Sequence, residues 1–182
     1  MTTRDMLEAS RRPCYLGCDV QTTGMAVAAV VVDTGTVALA TWLPFARAGQ
    51  LEYEACMAVQ TLAGKLASAD LRPVQMAVER VGGGRGVQSM LAVANAAGVV
   101  AGMLAYRFDT AGLWRPTPAE WKRACGMSGM ANKAAVMELA KTIMCRDRAY
   151  VRVLDMRQDI ADAVCIAWAD REQGIHAVTD GG

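Results

Sequence analysis

Residues 14–33 read CYLGCDVQTTGMAVAAVVVD, and the fold turns on how this stretch is read. Cys14 to Asp19 has the apolar run of a short buried strand, and Asp19 stands where that run stops. Thr22, Thr23 and Gly24 make a polar turn. Met25 to Asp33 is a second apolar run rich in Val, and Val37 to Leu43 is a third. Asp33-Thr34-Gly35 between them is a turn signal, so these two strands form a hairpin. Taken alone, Asp19 is ordinary turn chemistry, because Asp often closes a strand by bonding its own backbone. Whether it is more depends on where the other carboxylates fall.

Working outward, residues 51–69 have apolar positions at helical spacing and form an amphipathic helix. Pro73 opens a strand ending at Glu79, followed by the glycine-rich loop VGGGRGV, residues 81–87. Residues 87–105 are a helix rich in Ala and Gly, small enough to admit another helix closely. GLWRP is a short strand. Thr117, Pro118 and Glu120 then carry the signature of a helix start: N-cap, first-turn proline and capping box. Residues 131–146 and 157–172 are two more helices. This order predicts an α/β fold, a mixed sheet of a three-strand meander plus parallel strands with helices on both faces. There is no repeat, low-complexity tract or linker. Residues 14–175 therefore read as one domain, between a flexible N-terminal arm (1–13) and a flexible tail (176–182).

The chain is 53% hydrophobic and 20% charged over 182 residues, which supports a core and excludes global disorder. No uninterrupted apolar stretch reaches the length of a membrane span. MTTRDMLEASRR at the start lacks the apolar centre of a signal peptide, and Asp5 and Glu8 oppose an import presequence. The six cysteines form no CxxC pair, and Cys18, Cys56 and Cys165 sit in apolar runs as small hydrophobes. With His176 the single histidine, zinc-site spacing is absent, and a reducing, cytoplasmic setting is expected. Charge is unevenly spread. Residues 80–133 carry Arg80, Arg85, Arg107, Arg115, Lys122, Arg123 and Lys133 against Asp109 and Glu120. The segments on either side each carry two more acids than bases. That basic middle third is either a solvated face or a polyanion-binding surface, with Arg80, Arg85, Arg115, Lys122, Arg123 and Lys133 as candidate contacts, which the resemblance given below would make DNA contacts.

Glu79 repeats the pattern of Asp19: it ends an apolar strand ahead of a polar, glycine-rich loop. Alternation puts Tyr15, Gly17 and Asp19 on one face of their strand, and Gln75, Ala77 and Glu79 on one face of theirs. Each acid has a small residue two positions before it, which would leave room above the sheet if the two faces coincide. The last helix, QDIADAVCIAWAD, is apolar on most sides yet carries Asp159 and Asp162 on one face. Favourable interaction with the helix dipole explains the first better than the second. Like charges on a buried helix call for a counter-charge, and a hard divalent cation with oxygen ligands supplies one. Four acids from two strand tips and a helix could hold two Mg²⁺ ions, roughly 3.5–4 Å apart, for in-line phosphodiester cleavage.

The chain resembles the RuvC-type Holliday junction resolvases, crossover junction endodeoxyribonucleases of ribonuclease H-like fold. YLGCDVQTTGMAVAAVV, MAVERV, PAEWKRACGMSGMANKAAV and DIADAVCIAWADRE carry the resemblance, in family order, from residue 14 to 172. It implies that Asp19, Glu79, Asp159 and Asp162 are the metal-holding catalytic acids. Lys122 and Lys133 would be the basic residues near the scissile phosphate. It also implies two Mg²⁺ ions per site, with Mn²⁺ able to substitute, branched DNA as substrate and a homodimer without membrane association. The Ala/Gly-rich helix suits a two-fold contact. One departure stands out: the aromatic residue that family members often carry after the Glu is Gly82 here, so Arg85 is the alternative junction contact. Three rivals stand beside this reading. A looser flap or fork nuclease shares the fold. An actin-like ATP-binding domain shares the Asp19 loop but needs two such domains. A non-catalytic DNA-binding module predicts a missing acid, and all four are present.

Overall fold

The computed structural model describes residues 10–47, 49–81, 86–109, 111–145 and 157–179, the last five by backbone alone. The strands are β1 (Arg12–Gln21), β2 (Gly24–Val31), β3 (Val37–Pro44), β4 (Leu71–Val78) and β5 (Gly112–Trp114). The helices are α1 (Leu51–Ser68), α2 (Val87–Arg107), α3 (Pro118–Ala124), α4 (Lys133–Met144) and α5 (Gln158–Thr179). One sheet runs β3-β2-β1-β4-β5. The meander is antiparallel, and β4 and β5 join it in parallel through helical crossovers.

Alternation along the strands divides the core in two. Leu16, Cys18, Val27, Met76 and Val78 face α1 and α2. Ala26, Ala28, Val30 and Ala77 face α3, α4 and α5. The second face is built from small residues, and the helices there lie close to the sheet. β1 and β4 each begin two residues earlier than the sequence reading, because Pro73 lies inside β4 rather than opening it. The register slips there, between Cys14 and Tyr15, and Val74 is left without a partner on β1. A residue that cannot donate to the ladder is tolerated at such a bulge. All six cysteines are free thiols.

The helix caps follow the sequence. Thr117 and Glu120 complete their capping box, and Asn132 caps α4 by accepting from the Ala135 N–H at 3.0 Å. The helix expected over 131–146 therefore starts at Lys133. Among the described residues α2 alone is long and apolar enough to cross a membrane by length and composition. Its inner face, Val93, Ala96, Ala97, Val100 and Leu104, packs against the first core layer, while Leu91, Gly98 and Tyr106 face outward.

The pairings Tyr15 with Gln75 and Gly17 with Ala77 settle that the two acid-bearing faces coincide. The open room expected beside the small residues is not there. A Cβ on Gly17 would lie 2.3 Å from the Ala163 carbonyl oxygen and 2.4 Å from the Ala167 nitrogen, so the backbone of α5 fills the space.

Further along α5, Asp170 is fully buried. Its Oδ1 accepts from Gln75 Nε2 at 2.7 Å, and Oδ2 has no partner. Burial pushes its pKa up from 3.8 to about 7, and the Gln75 hydrogen bond only partly opposes this. The folded state thus keeps a proton that the unfolded chain releases near pH 4. The stability tied to that proton is full below pH 4, declines as pH rises and is gone above about 7. Asp170→Asn abolishes this decline. Its stability relative to the parent should rise by about 2–4 kcal/mol between pH 4 and pH 8. Urea melts at both pH values measure this, and parallel pH profiles would refute it.

Candidate active site

The row of the sheet that begins the site is set by pairing. Asp19 pairs with Ala26, and Ala26 with Trp42, while on the other side the Glu79 N–H donates to the Cys18 carbonyl at 3.1 Å. Asp19 and Glu79 are thus neighbours at the C-terminal ends of parallel β1 and β4. α5 starts above this row and brings Asp159 in its first turn and Asp162 one turn later.

Each carboxylate has a partner that sequence reading did not find. Asp19 is 4% exposed and accepts from Gln21 Nε2 with both oxygens, at 3.0 and 2.9 Å. Glu79 Oε2 accepts from the indole N–H of buried Trp121 at 3.2 Å. Asp162 Oδ1 accepts from Gln158 Nε2 at 2.8 Å. Gln158 was legible in principle, since Gln and Asp at i and i+4 meet on a helix. Trp121 was not, because its contact with Glu79 spans 42 residues of chain.

The acids perturb one another. Burial raises the Glu79 pKa to about 8, with the charges of Asp19 and Asp162 adding to the shift. Trp121 and Lys122 oppose it. Asp162 is also raised, first by burial, against the Gln158 hydrogen bond, with Asp159 adding and the two lysines opposing. Asp159 stands apart: it is paired with Arg157 at 3.2 Å.

Both lysines sit beside these acids. An opening of about 160 Å³ is lined by Glu79, Trp121, Lys122, Lys133, Gln158 and Asp162, with Pro118 and Val136. Lys133 begins α4 and is exposed. Lys122 lies in the last turn of α3, with Nζ donating to the Ala131 carbonyl at 2.8 Å. The candidate DNA arginines are not brought together in this way. Arg80 is paired with Glu120 at 2.9 Å, and Arg115 donates to the Val78 carbonyl at 3.1 Å, tying the end of β4. Arg123 is exposed. Arg85 and Gly82 lie outside the described residues.

The donor set is oxygen-only, and burial first, then repulsion among its members, raises the proton affinity of Glu79. That chemistry fits a hard divalent cation, whose charge would displace the proton. Among the described residues no three Asp, Glu, His or Cys side chains are grouped to hold one ion together. An ion here would rest on one or two carboxylates, with water and phosphate completing its shell, as is usual for Mg²⁺.

A mixed sheet with this strand order, helices on both faces and acids at the tips of its two central parallel strands is a ribonuclease H-like fold. Within it, the family model described as "Crossover junction endodeoxyribonuclease RuvC" matches residues 45–170, and the chain belongs to that family. Glu79, Lys122, Lys133, Asp159 and Asp162 lie inside the matched span, and Asp19 before it. Solved structures extend the likeness across the first strands. Thermus thermophilus RuvC is 17% identical with a TM-score of 0.70, over 91% of this chain and 96% of that one. The same organism's RuvC in complex with Holliday junction substrate is 16% identical with a TM-score of 0.68, over 90% and 94%. The yeast mitochondrial Holliday junction resolvase Ydc2 is 10% identical with a TM-score of 0.57, over 99% and 92%. No curated protein matches the chain by sequence.

Proposed function

We propose that this chain resolves four-way DNA junctions, hydrolysing one phosphodiester in each of two opposed strands as a homodimer. The observation that carries this reading is the meeting of Asp19, Glu79 and Asp162 from β1, β4 and α5 beside Lys122 and Lys133. Family membership supports the junction as substrate. Asp19, Glu79, Asp159 and Asp162 would hold Mg²⁺, or Mn²⁺ in its place, as two ions per site. When bound, these ions would lower the pKa of water and neutralise charge on the phosphate.

The chain's own residues do the rest. Gln21, Trp121 and Gln158 hold three carboxylates in fixed orientation, so little reorganisation is needed on binding. Lys133 projects from the first turn of α4 into the opening that Glu79 and Asp162 line, where it can meet a phosphate oxygen. Lys122 is steadied by the Ala131 carbonyl at the other side of that opening. The outward face of α2 is the surface for a second copy, with Gly98 and Gly102 open to it.

The decisive experiment is cleavage of synthetic four-way junctions, forks, flaps and linear duplex in Mg²⁺, with light scattering on the same sample. Fast cutting of junctions by a dimer is expected. Linear duplex cut as fast as junctions, or a monomeric active species, would sink the reading. A second expectation concerns Lys133. If it neutralises charge developing at the phosphate, Lys133→Ala should slow single-turnover cutting about a hundredfold with little change in junction affinity. A loss of affinity alone, with a salt slope lower by about one, would make it a plain backbone contact.

A further inference from the structure

Asp159 has its counter-charge in an ion pair, and the construction around that pair is specific. Arg157 Nη2 lies 3.2 Å from Asp159 Oδ2. The same guanidinium stacks on the Trp42 ring, 4.0 Å from its centroid. Trp42 in turn lies over Gly24, where a Cβ would meet the ring at 2.3 Å. The glycine thus lets the indole lie down against the sheet. Strand pairing puts Trp42, Ala26 and Asp19 in one row on the face that α5 crosses. The Arg157 seat is therefore level with the site and two strands from Asp19, about 10 Å away across the sheet.

We propose that Arg157, seated on Trp42, is a positioning residue that acts as a resident counter-cation for Asp159 and competes with the divalent cation for this carboxylate. The inference rests on the metal reading given above. Without metal, Asp159 has its charge balanced by a group that the protein itself supplies, and it is turned toward β3. An entering ion must take the carboxylate from the guanidinium. The aromatic seat keeps the guanidinium close, so that it returns when the ion leaves. A lysine there would lack the planar group that both stacks on the ring and grips the carboxylate.

Calorimetric titration with Mn²⁺ alone, without DNA, tests this. Arg157→Gln should bind Mn²⁺ about threefold or more tighter than the parent, the scale of one partly exposed ion pair. Trp42→Leu keeps the charge but removes its seat, and should shift affinity in the same direction. The double variant should go no further than Arg157→Gln, since the two residues act through one pair. Arg157→Lys should lie between parent and Arg157→Gln. Lys141→Gln, which removes a cation paired with Glu138 on α4, is the control and should leave affinity unchanged. An unchanged or weaker affinity in Arg157→Gln overturns the proposal, as do additive effects in the double variant or an equal shift in the control. If the parent takes up no Mn²⁺ at all, the metal reading fails and this inference with it. If parent and Arg157→Gln bind Mn²⁺ equally, only the inference fails. Circular dichroism of Trp42→Leu checks its fold, and Arg157→Gln alone still decides should that variant not fold.

Discussion

Asp19→Asn, Glu79→Gln and Asp162→Asn should each slow junction cutting on the order of a thousandfold while leaving junction binding in Ca²⁺ nearly unchanged. Each substitution keeps the size of the side chain and removes only its charge, so the fold and the two lysines beside the acids stay in place. Each leaves a neighbour behind. Without the Asp19 or Asp162 charge, one contribution to the raised Glu79 pKa disappears, but so does a carboxylate that the proposed cation would use. Asp159→Asn should join them. Its ion pair with Arg157 is partly exposed, so losing that pair costs little stability. Gel shifts in Ca²⁺ beside single-turnover cleavage in Mg²⁺ separate binding from chemistry. A variant that cuts at the parent rate removes its residue from the site. A variant that loses binding in step with cutting points to a DNA contact instead.

The order of elements and the face on which each acid lies are legible in the sequence because both follow local periodicity; the ribonuclease H-like fold and the role expected of the acids come from the family resemblance. Strand alternation places Asp19 and Glu79 on the faces of Gly17 and Ala77, and helical spacing places Asp159 with Asp162. The start signal at Thr117 is equally local, and the structure carries that cap, while the Asn132 cap that moves the next helix start to Lys133 came from the structure. What escaped was everything that depends on which distant segments touch. Trp121 reaches Glu79 only because α3 packs beside the end of β4. Arg157 meets Trp42 across more than a hundred residues. The basic middle third reads as one patch in sequence, yet in the fold Lys122 and Lys133 line the acidic opening while Arg80 and Arg115 are tied to Glu120 and the Val78 carbonyl. Charge counts along a chain say nothing about such partners. The small residues before the acids do make room, as their size suggests, but the room is for a helix backbone.

At Gly17 the backbone of α5 comes close to the sheet. Gly17→Ala should destabilise the protein by about 3 kcal/mol or more, near the upper end for overpacking. The added methyl group would meet the Ala163 carbonyl oxygen and the Ala167 nitrogen, which are backbone atoms of a buried helix and not the end of a side chain that can swing away. Relief requires α5 to lift from β1, and the fully buried residues Ala163 to Ala167 lift with it. Gly64→Ala is the internal comparison. Gly64 lies within α1, and a methyl group there would have nothing within 4 Å, so the same chemical change should stabilise by about 0.5–1 kcal/mol through helix propensity. Urea midpoints of the two variants should therefore move in opposite directions. Function should follow the fold at Gly17. Lifting α5 by even about 1 Å carries Asp162 away from Asp19 and Glu79, and a displacement of that size can cost about a hundredfold in rate. Gly17→Ala with parental stability and parental cutting would mean that α5 does not rest on β1, and the convergence of the three acids would fall with it.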